Sequence, residues 1–266
     1  MKQRDDSKPL YDRATFFDKI GFFLFVINTT AAVTALLVPG LCPEMLFWVQ
    51  LFTASGYVID TIGTDGWLWF TAEQSRRTDC ISNGFGVNLS EKRSEKYYDN
   101  PFPPSLHRYA VNIFESAFYS KSIAGEMMLG LLAKALIVIS VFAFSLGKLG
   151  KGDMSLLIAQ TCFSTIFLTD TIMAGVFCRR VTSIHDRLYT ALVTDGWSDA
   201  SQYQAKILAY AIEYEALKAF YKVRLSNRIF TKNKAALEQK WKENLETLKA
   251  SSTQVATASI SPKGDQ

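Results

Sequence analysis

Four apolar stretches, Ile20 to Val38, Met45 to about Phe70, Met127 to Gly147 and Leu156 to Cys178, dominate the chain. Each is close to the roughly 20 residues of helix that a hydrocarbon core demands. They commit the sequence to a membrane bundle, and their even number puts both termini on one side. Loop charge decides which side. The turns at Pro39 to Glu44 and Lys148 to Asp153 hold only Lys148 and Lys151 as bases. The N-terminal arm carries Lys2, Arg4, Lys8, Arg13 and Lys19, and the loop between the second and third spans carries Arg76, Arg77, Lys92, Arg93, Lys96, Arg108 and Lys121. The positive-inside rule places both termini and that long loop in the cytoplasm. Trp48, Trp67 and Trp69 stand near the two ends of the second span, where interfacial anchors belong.

Three ionisable residues interrupt the apolar stretches. Asp60 lies seven residues before Trp67, Lys134 eight after Glu126 and Asp170 nine before Arg179. At the helix rise, all three fall roughly 10–14 Å below the cytoplasmic interface. An unpaired charge at mid-bilayer costs at least ~2.5–3.5 kcal/mol, so such groups face a bundle interior or an aqueous cavity. Two readings stand: the two acids and the base form one paired layer, or Lys134 snorkels and one aspartate is solvated near a thinned interface.

With 266 residues, 48% of them hydrophobic, the chain has room for one membrane bundle and one modest cytoplasmic module. The mean hydropathy of +0.07 averages very apolar spans against very polar flanks. A net charge of +4 is small for a protein that binds duplex nucleic acid, and no such partner is expected. The basic excess on the cytoplasmic face is available instead to anionic lipid or to a phosphate-bearing ligand. Cys42, Cys80, Cys162 and Cys178 are too scattered for a disulfide framework or a zinc site. The first span lacks a small-residue cleavage pattern, since Pro39, Gly40 and Leu41 follow it, so it is expected to be retained.

The fold class expected is an all-α membrane protein with four transmembrane helices, plus a cytoplasmic helical module built from the 2–3 loop and the C-terminal helices. An N-terminal arm (1–19) precedes spans one and two (20–70). The loop region (71–126) leads to spans three and four (127–178), then to C-terminal helices (179–250) and a Ser-, Thr- and Ala-rich tail (251–266) expected to be disordered. The second span has no strong breaker after Phe70, so its helix projects onward through Ala72 to Asp79, with a bend allowed at Gly63 and Gly66. A polar, helical segment is expected around Glu91 to Tyr98. Ser105 is an N-cap candidate for a helix whose Leu106, Tyr109, Ile113, Ala117 and Phe118 recur at helical spacing. That helix is expected on the membrane surface or against the module. Two further apolar stripes, Ile207, Ala211, Tyr214, Leu217, Tyr221 and Leu225, then Leu237, Trp241, Leu245 and Leu248, are either core or self-association faces.

Neither His107 nor His185 stands in a ligand pattern. His185 beside Asp186 is expected to be a surface residue, because adjacent helix positions do not face each other. No Gly-rich phosphate loop and no nucleophile motif is present, so the chain reads as a non-enzyme without metal or bound cofactor. The remaining candidate is electrostatic. Arg76, Arg77, Arg93, Lys96 and Arg108, interleaved with Tyr97, Tyr98 and Tyr109, offer guanidinium forks for phosphates and aromatic faces for bases, and Arg224 and Arg228 are candidates to join them. The alternative is that these charges simply obey the positive-inside rule and contact lipid.

Four segments carry a resemblance: AEQSRRTD leaving the second span, EKYYDNPFPPSLHRY from Glu95 to Tyr109, NIFESAFYSKSI before the third span, and QYQAKILAYAIEYEALKAFYKVR from Gln202 to Arg224. With these the chain resembles the SMODS-associating four-transmembrane effectors, bacterial antiphage proteins encoded beside cyclic-oligonucleotide synthases. The run NIFES departs from the more polar sequence of that family. The resemblance implies a bacterial inner-membrane protein that binds a cyclic nucleotide second messenger in the cytoplasm, oligomerises and disrupts the membrane. Two other classes compete: a constitutive channel or transporter subunit with Asp60, Lys134 and Asp170 along its path, and a membrane anchor or adaptor whose C-terminal helices bind another protein.

Overall fold

A computed structural model describes residues 8–38, 40–89, 98, 100–148, 154–194 and 200–260; the side chains of 36, 145–148, 154–167, 194, 200 and 252–260 lie outside that description. Among the described residues every regular element is helical: α1 (Lys8–Leu37), α2 (Pro43–Gly63), α3 (Phe70–Phe85), α4 (Leu106–Lys148), α5 (Met154–Tyr189), α6 (Ala200–Tyr221) and α7 (Asn227–Ile260). A π-helical turn, Thr64–Trp69, joins α2 to α3, and a second, Thr190–Thr194, follows α5. Three of these helical runs are long and apolar enough to cross a membrane: Lys8–Ala35, Pro43–Phe85 and Leu106–Phe144. The chain divides into two compact units, a bundle (Ser7–Ser75 and Met128–Gly175) and a module (Met1–Asp6, Arg76–Met127 and Val176–Gln266).

In the bundle, α1 and α2 pack through small residues. A side chain on Gly56 would meet Leu24 Cδ1 at 3.3 Å, and one on Gly21 would meet Asp60 Oδ2 at 3.1 Å. Helices in lipid gain little from burying apolar surface against each other, so close approach and interhelical hydrogen bonds carry the packing. Asn28 supplies such a bond, donating from its buried amide to the Gln50 carbonyl at 3.1 Å and to Thr53 Oγ1 at 2.9 Å. Phe25, Tyr57 and Val138 form the apolar centre. Helix α1 begins at Lys8, well inside the segment read as an arm, and Tyr11 donates to Glu73 Oε1 at 2.8 Å. The helix leaving the second span does project onward, with the π-helical turn lying where Gly63 and Gly66 allowed a bend.

The module is organised by α4. Ser105 caps it, accepting at Oγ from the Arg108 N–H at 3.2 Å. Ala110, Val111, Ile113, Phe114 and Ala117 are buried along its first turns. Phe114 stacks on His185 at 4.9 Å between ring centroids and lies 5.7 Å from Trp241. Both C-terminal stripes are core: Ile207, Ala211, Tyr214 and Leu217 of α6 and Leu237, Trp241 and Leu248 of α7 are buried within one protomer. They therefore lend no weight to self-association. Helix α7 is described to Ile260, through the first part of the segment read as a tail; Ala is a strong helix former, and an established helix propagates through Ser and Thr at little cost per residue. Most of the polar segment at Glu91 to Tyr98, the turn at Lys148 to Asp153 and the Asp195–Gly196 break lie outside the described residues.

At Gly84 the chain permits α3 and α4 to touch. A Cβ there would lie 2.7 Å from Tyr109 Cβ and 2.8 Å from its Cα. Backbone cannot yield as a flexible side chain does, so Gly84→Ala is expected to lower stability by about 1–3 kcal/mol. Gly125→Ala, where nothing lies within 4 Å of the added atom, should be neutral or stabilising. Denaturation of the two purified variants in detergent measures the contrast.

Candidate functional site

The basic residues proposed to hold phosphates are largely engaged by the protein itself. Arg76 is buried; its Nη2 donates to Glu215 Oε2 at 2.6 Å, and its guanidinium lies 5.8 Å from the centre of the Tyr214 ring. Arg77 Nε donates to the same carboxylate oxygen at 3.0 Å. Glu215 thus clamps both α3 guanidinium groups to α6, and they are not free forks. Arg108 Nε donates to Asn83 Oδ1 at 3.2 Å, within a network where Asn112 Nδ2 reaches the same oxygen at 3.0 Å and Asn100 Nδ2 reaches Asn112 Oδ1 at 2.6 Å. Tyr98 is buried, with its hydroxyl 3.3 Å from Ser116 Oγ and its carbonyl accepting from Asn83 Nδ2 at 3.2 Å. Arg224 is half-buried, and desolvation brings its pKa down to about 10. Arg228 is exposed at the start of α7. Arg93 and Tyr97 lie outside the described residues. The structure therefore does not gather the described members of this set into one open surface.

A different groove is open in the module. About 480 Å³ in volume, it is lined by Arg179, Thr182, Ser183, Asp186 and Arg187 of α5, by Thr190 after it, and by Tyr210 of α6. Arg187 spreads over the Tyr210 ring, 5.0 Å from its centre, and donates from Nη2 to Glu213 Oε1 at 2.7 Å. Thr182 and Thr190 donate to the carbonyls of Cys178 and Asp186 at 2.8 and 3.0 Å, so each hydroxyl oxygen keeps its lone pairs as acceptors. Arg179 is exposed. Asp186 accepts from Lys121 Nζ at 2.9 Å and lies 2.9 Å from His185 Nδ1. His185 is thus no surface residue: its ring is half-buried on Phe114, which turns Nδ1 toward its neighbour's carboxylate despite the adjacent helix positions. Burial lowers its pKa, partly offset by the hydrogen bond to Asp186. The groove so offers cationic forks, hydroxyl oxygens and one carboxylate within one helical face.

The bundle supplies the third element. Tyr57 donates to Asp170 Oδ2 at 2.8 Å; Asp60 Oδ2 lies against Gly21; and Lys134 Nζ sits over the Phe22 ring, 4.9 Å from its centre. Adjacent α1 residues, Gly21 and Phe22, thus touch Asp60 and Lys134, which puts those two at one level, and Tyr57, whose ring also lies against Gly21, reaches Asp170. Among the described residues no salt bridge joins Lys134 to either aspartate. A phenol and an aromatic face answer two of the charges instead. Tyr57 was legible, one helical turn before Asp60 on the same face of α2. Glu215 was legible too, as a carboxylate set inside an otherwise apolar stripe.

Two substitutions probe the module. Glu215→Leu removes the buried carboxylate that Arg76 and Arg77 both reach and should cost about 3–5 kcal/mol, read as a lowered melting temperature. His107, buried with Nδ1 2.9 Å from the Tyr203 hydroxyl, has its pKa lowered by desolvation to about 4. The unfolded chain therefore binds a proton that the folded module refuses, so stability falls as pH drops from about 6.5 toward 4. His107→Phe should flatten that part of a melting-temperature profile.

Compared with protein-family models, curated proteins and solved structures, the chain matches none.

Proposed function

We propose that this chain is a bacterial inner-membrane effector whose helical module senses a cyclic nucleotide second messenger in the cytoplasm, and which oligomerises and permeabilises the membrane in response. Three helices of spanning length support the membrane assignment. In this reading the apolar first half of α5, Leu156 to Cys178, is the fourth span, and both termini are cytoplasmic. The observation that carries the ligand is the α5–α6 groove. A nucleotide combines phosphate oxygens, which suit Arg179 and Arg187, with base-edge donors and acceptors, which suit Asp186 and the threonine oxygens. Helices α4 and α5 each contribute residues to both units, so they are the covalent route from sensing to output. The ligand opens the bundle only to the extent that it binds the open arrangement more tightly.

Calorimetric titration of the purified protein with cyclic di- and trinucleotides, alongside leakage from liposomes, tests this. Binding with ligand-dependent leakage is expected, and Arg179→Ala should weaken binding about tenfold, roughly 1.4 kcal/mol. A complete set of nucleotides that neither bind nor release dye would sink the proposal. One observation favours a second reading, a constitutive channel or transporter subunit: among the described residues, neither Asp60 nor Asp170 forms a salt bridge with Lys134. That reading requires transport without any messenger and altered ion selectivity on neutralising both aspartates.

A further inference from the structure

The bundle places its opposite charges on different seams. Helix α1 meets α2 where Gly21 approaches Tyr57 and Asp60, α2 meets α5 at the Tyr57–Asp170 bond, α5 meets α4 where Gly175 approaches Met128, and α4 meets α1 where Lys134 covers Phe22. In a ring of helices ordered α1, α2, α5, α4, the α1–α4 and α2–α5 seams are opposite flanks. Lys134 is at the first of these, on a Phe22 ring that is itself 50% exposed. Asp170 is at the second and is exposed despite its bond to Tyr57. Ile137, three residues after the lysine and so on its side of α4, is 54% exposed.

We infer that a second copy of this chain covers these flanks, with Lys134 of one protomer facing Asp170 of the next. Three facts converge on that occupant. The two groups are opposite in charge and fall at similar depth by helix rise, so lateral approach of an identically oriented copy brings them together. Neither is neutralised by an ion pair with a described residue of its own bundle. At roughly 10–14 Å below the interface, lipid tails offer neither of them a counter-charge. Because the two flanks differ, the contact is head-to-tail, the class of interface that closes into a ring when its rotation permits. Asp60, held against Gly21, stays inside the protomer. The inference rests on the four-span reading of the bundle and does not depend on the identity of a messenger.

Charge reversal tests it. The native mass of the full chain in lipid nanodiscs, measured with and without cyclic di- and trinucleotides, should show several copies. Lys134→Asp and Asp170→Lys should each reduce this to one copy, because like charges then meet at the seam. Co-expressing the two variants should restore assembly, since the carboxylate introduced at position 134 of one meets the ammonium introduced at position 170 of the other. The double variant K134D/D170K should assemble alone. Circular dichroism establishes that each variant is helical. Lys134→Met covers the case in which a reversed charge blocks insertion, and it should also lose assembly. A wild-type chain of single-copy mass in every sample overturns the inference. So does an oligomer that survives Lys134→Met, or a helical double variant that stays monomeric. Assembly without nucleotide binding would remove the proposed messenger and leave this interface standing; nucleotide-dependent leakage with no effect of the charge variants would do the reverse.

Discussion

A charge inside a hydrocarbon layer must be answered by protein, because neither lipid tails nor water are there to do it. That requirement organises the bundle. Removing the answer costs on the order of 2.5–3.5 kcal/mol per group, comparable to a substantial fraction of a domain's whole stability. Tyr57 meets it for Asp170 through a hydrogen bond, Phe22 meets it in part for Lys134 through its ring face, and Gly21 lets Asp60 pack against α1. Two of these answers come from α1 and one from α2.

The same physics governs the module at a different scale. Burying Arg76 requires Glu215, and Glu215 recruits Arg77 as well, so two cations of the loop region are held by one acid of α6. An Arg pair seen in sequence as phosphate forks is thereby turned to holding α3 against the C-terminal helices. Arg187 is likewise held, by Glu213 and by the Tyr210 ring, but at the rim of an open groove, where one face of the guanidinium remains accessible. The open groove therefore lies on α5 and α6, not on the loop.

Helical periodicity was easy to read because it depends only on the spacing of side chains around one helix. The continuation of the second span into α3, the Ser105 cap of α4 and the two buried C-terminal stripes all follow from local pattern. The fate of each charge was not legible, since Glu215 lies 139 residues from Arg76 and Asp170 lies 113 from Tyr57. Helix ends were hidden for a related reason. α1 reaches back to Lys8, where Tyr11 bonds to Glu73, a contact made by residues 62 apart.

By itself the sequence determined that the chain is helical, that several of its helices are apolar over a bilayer's length, and that ionisable residues interrupt those apolar stretches, because each of these is a property of spacing along a single helix. Only the tertiary structure decided that the stripes of α6 and α7 are spent in the protomer's own core, that Arg76 and Arg77 are bound by Glu215, and that Lys134 and Asp170 stand on opposite seams. Those outcomes depend on which helix becomes the neighbour of which. The free energy of a buried charge is set by that neighbour, not by the residue that bears it.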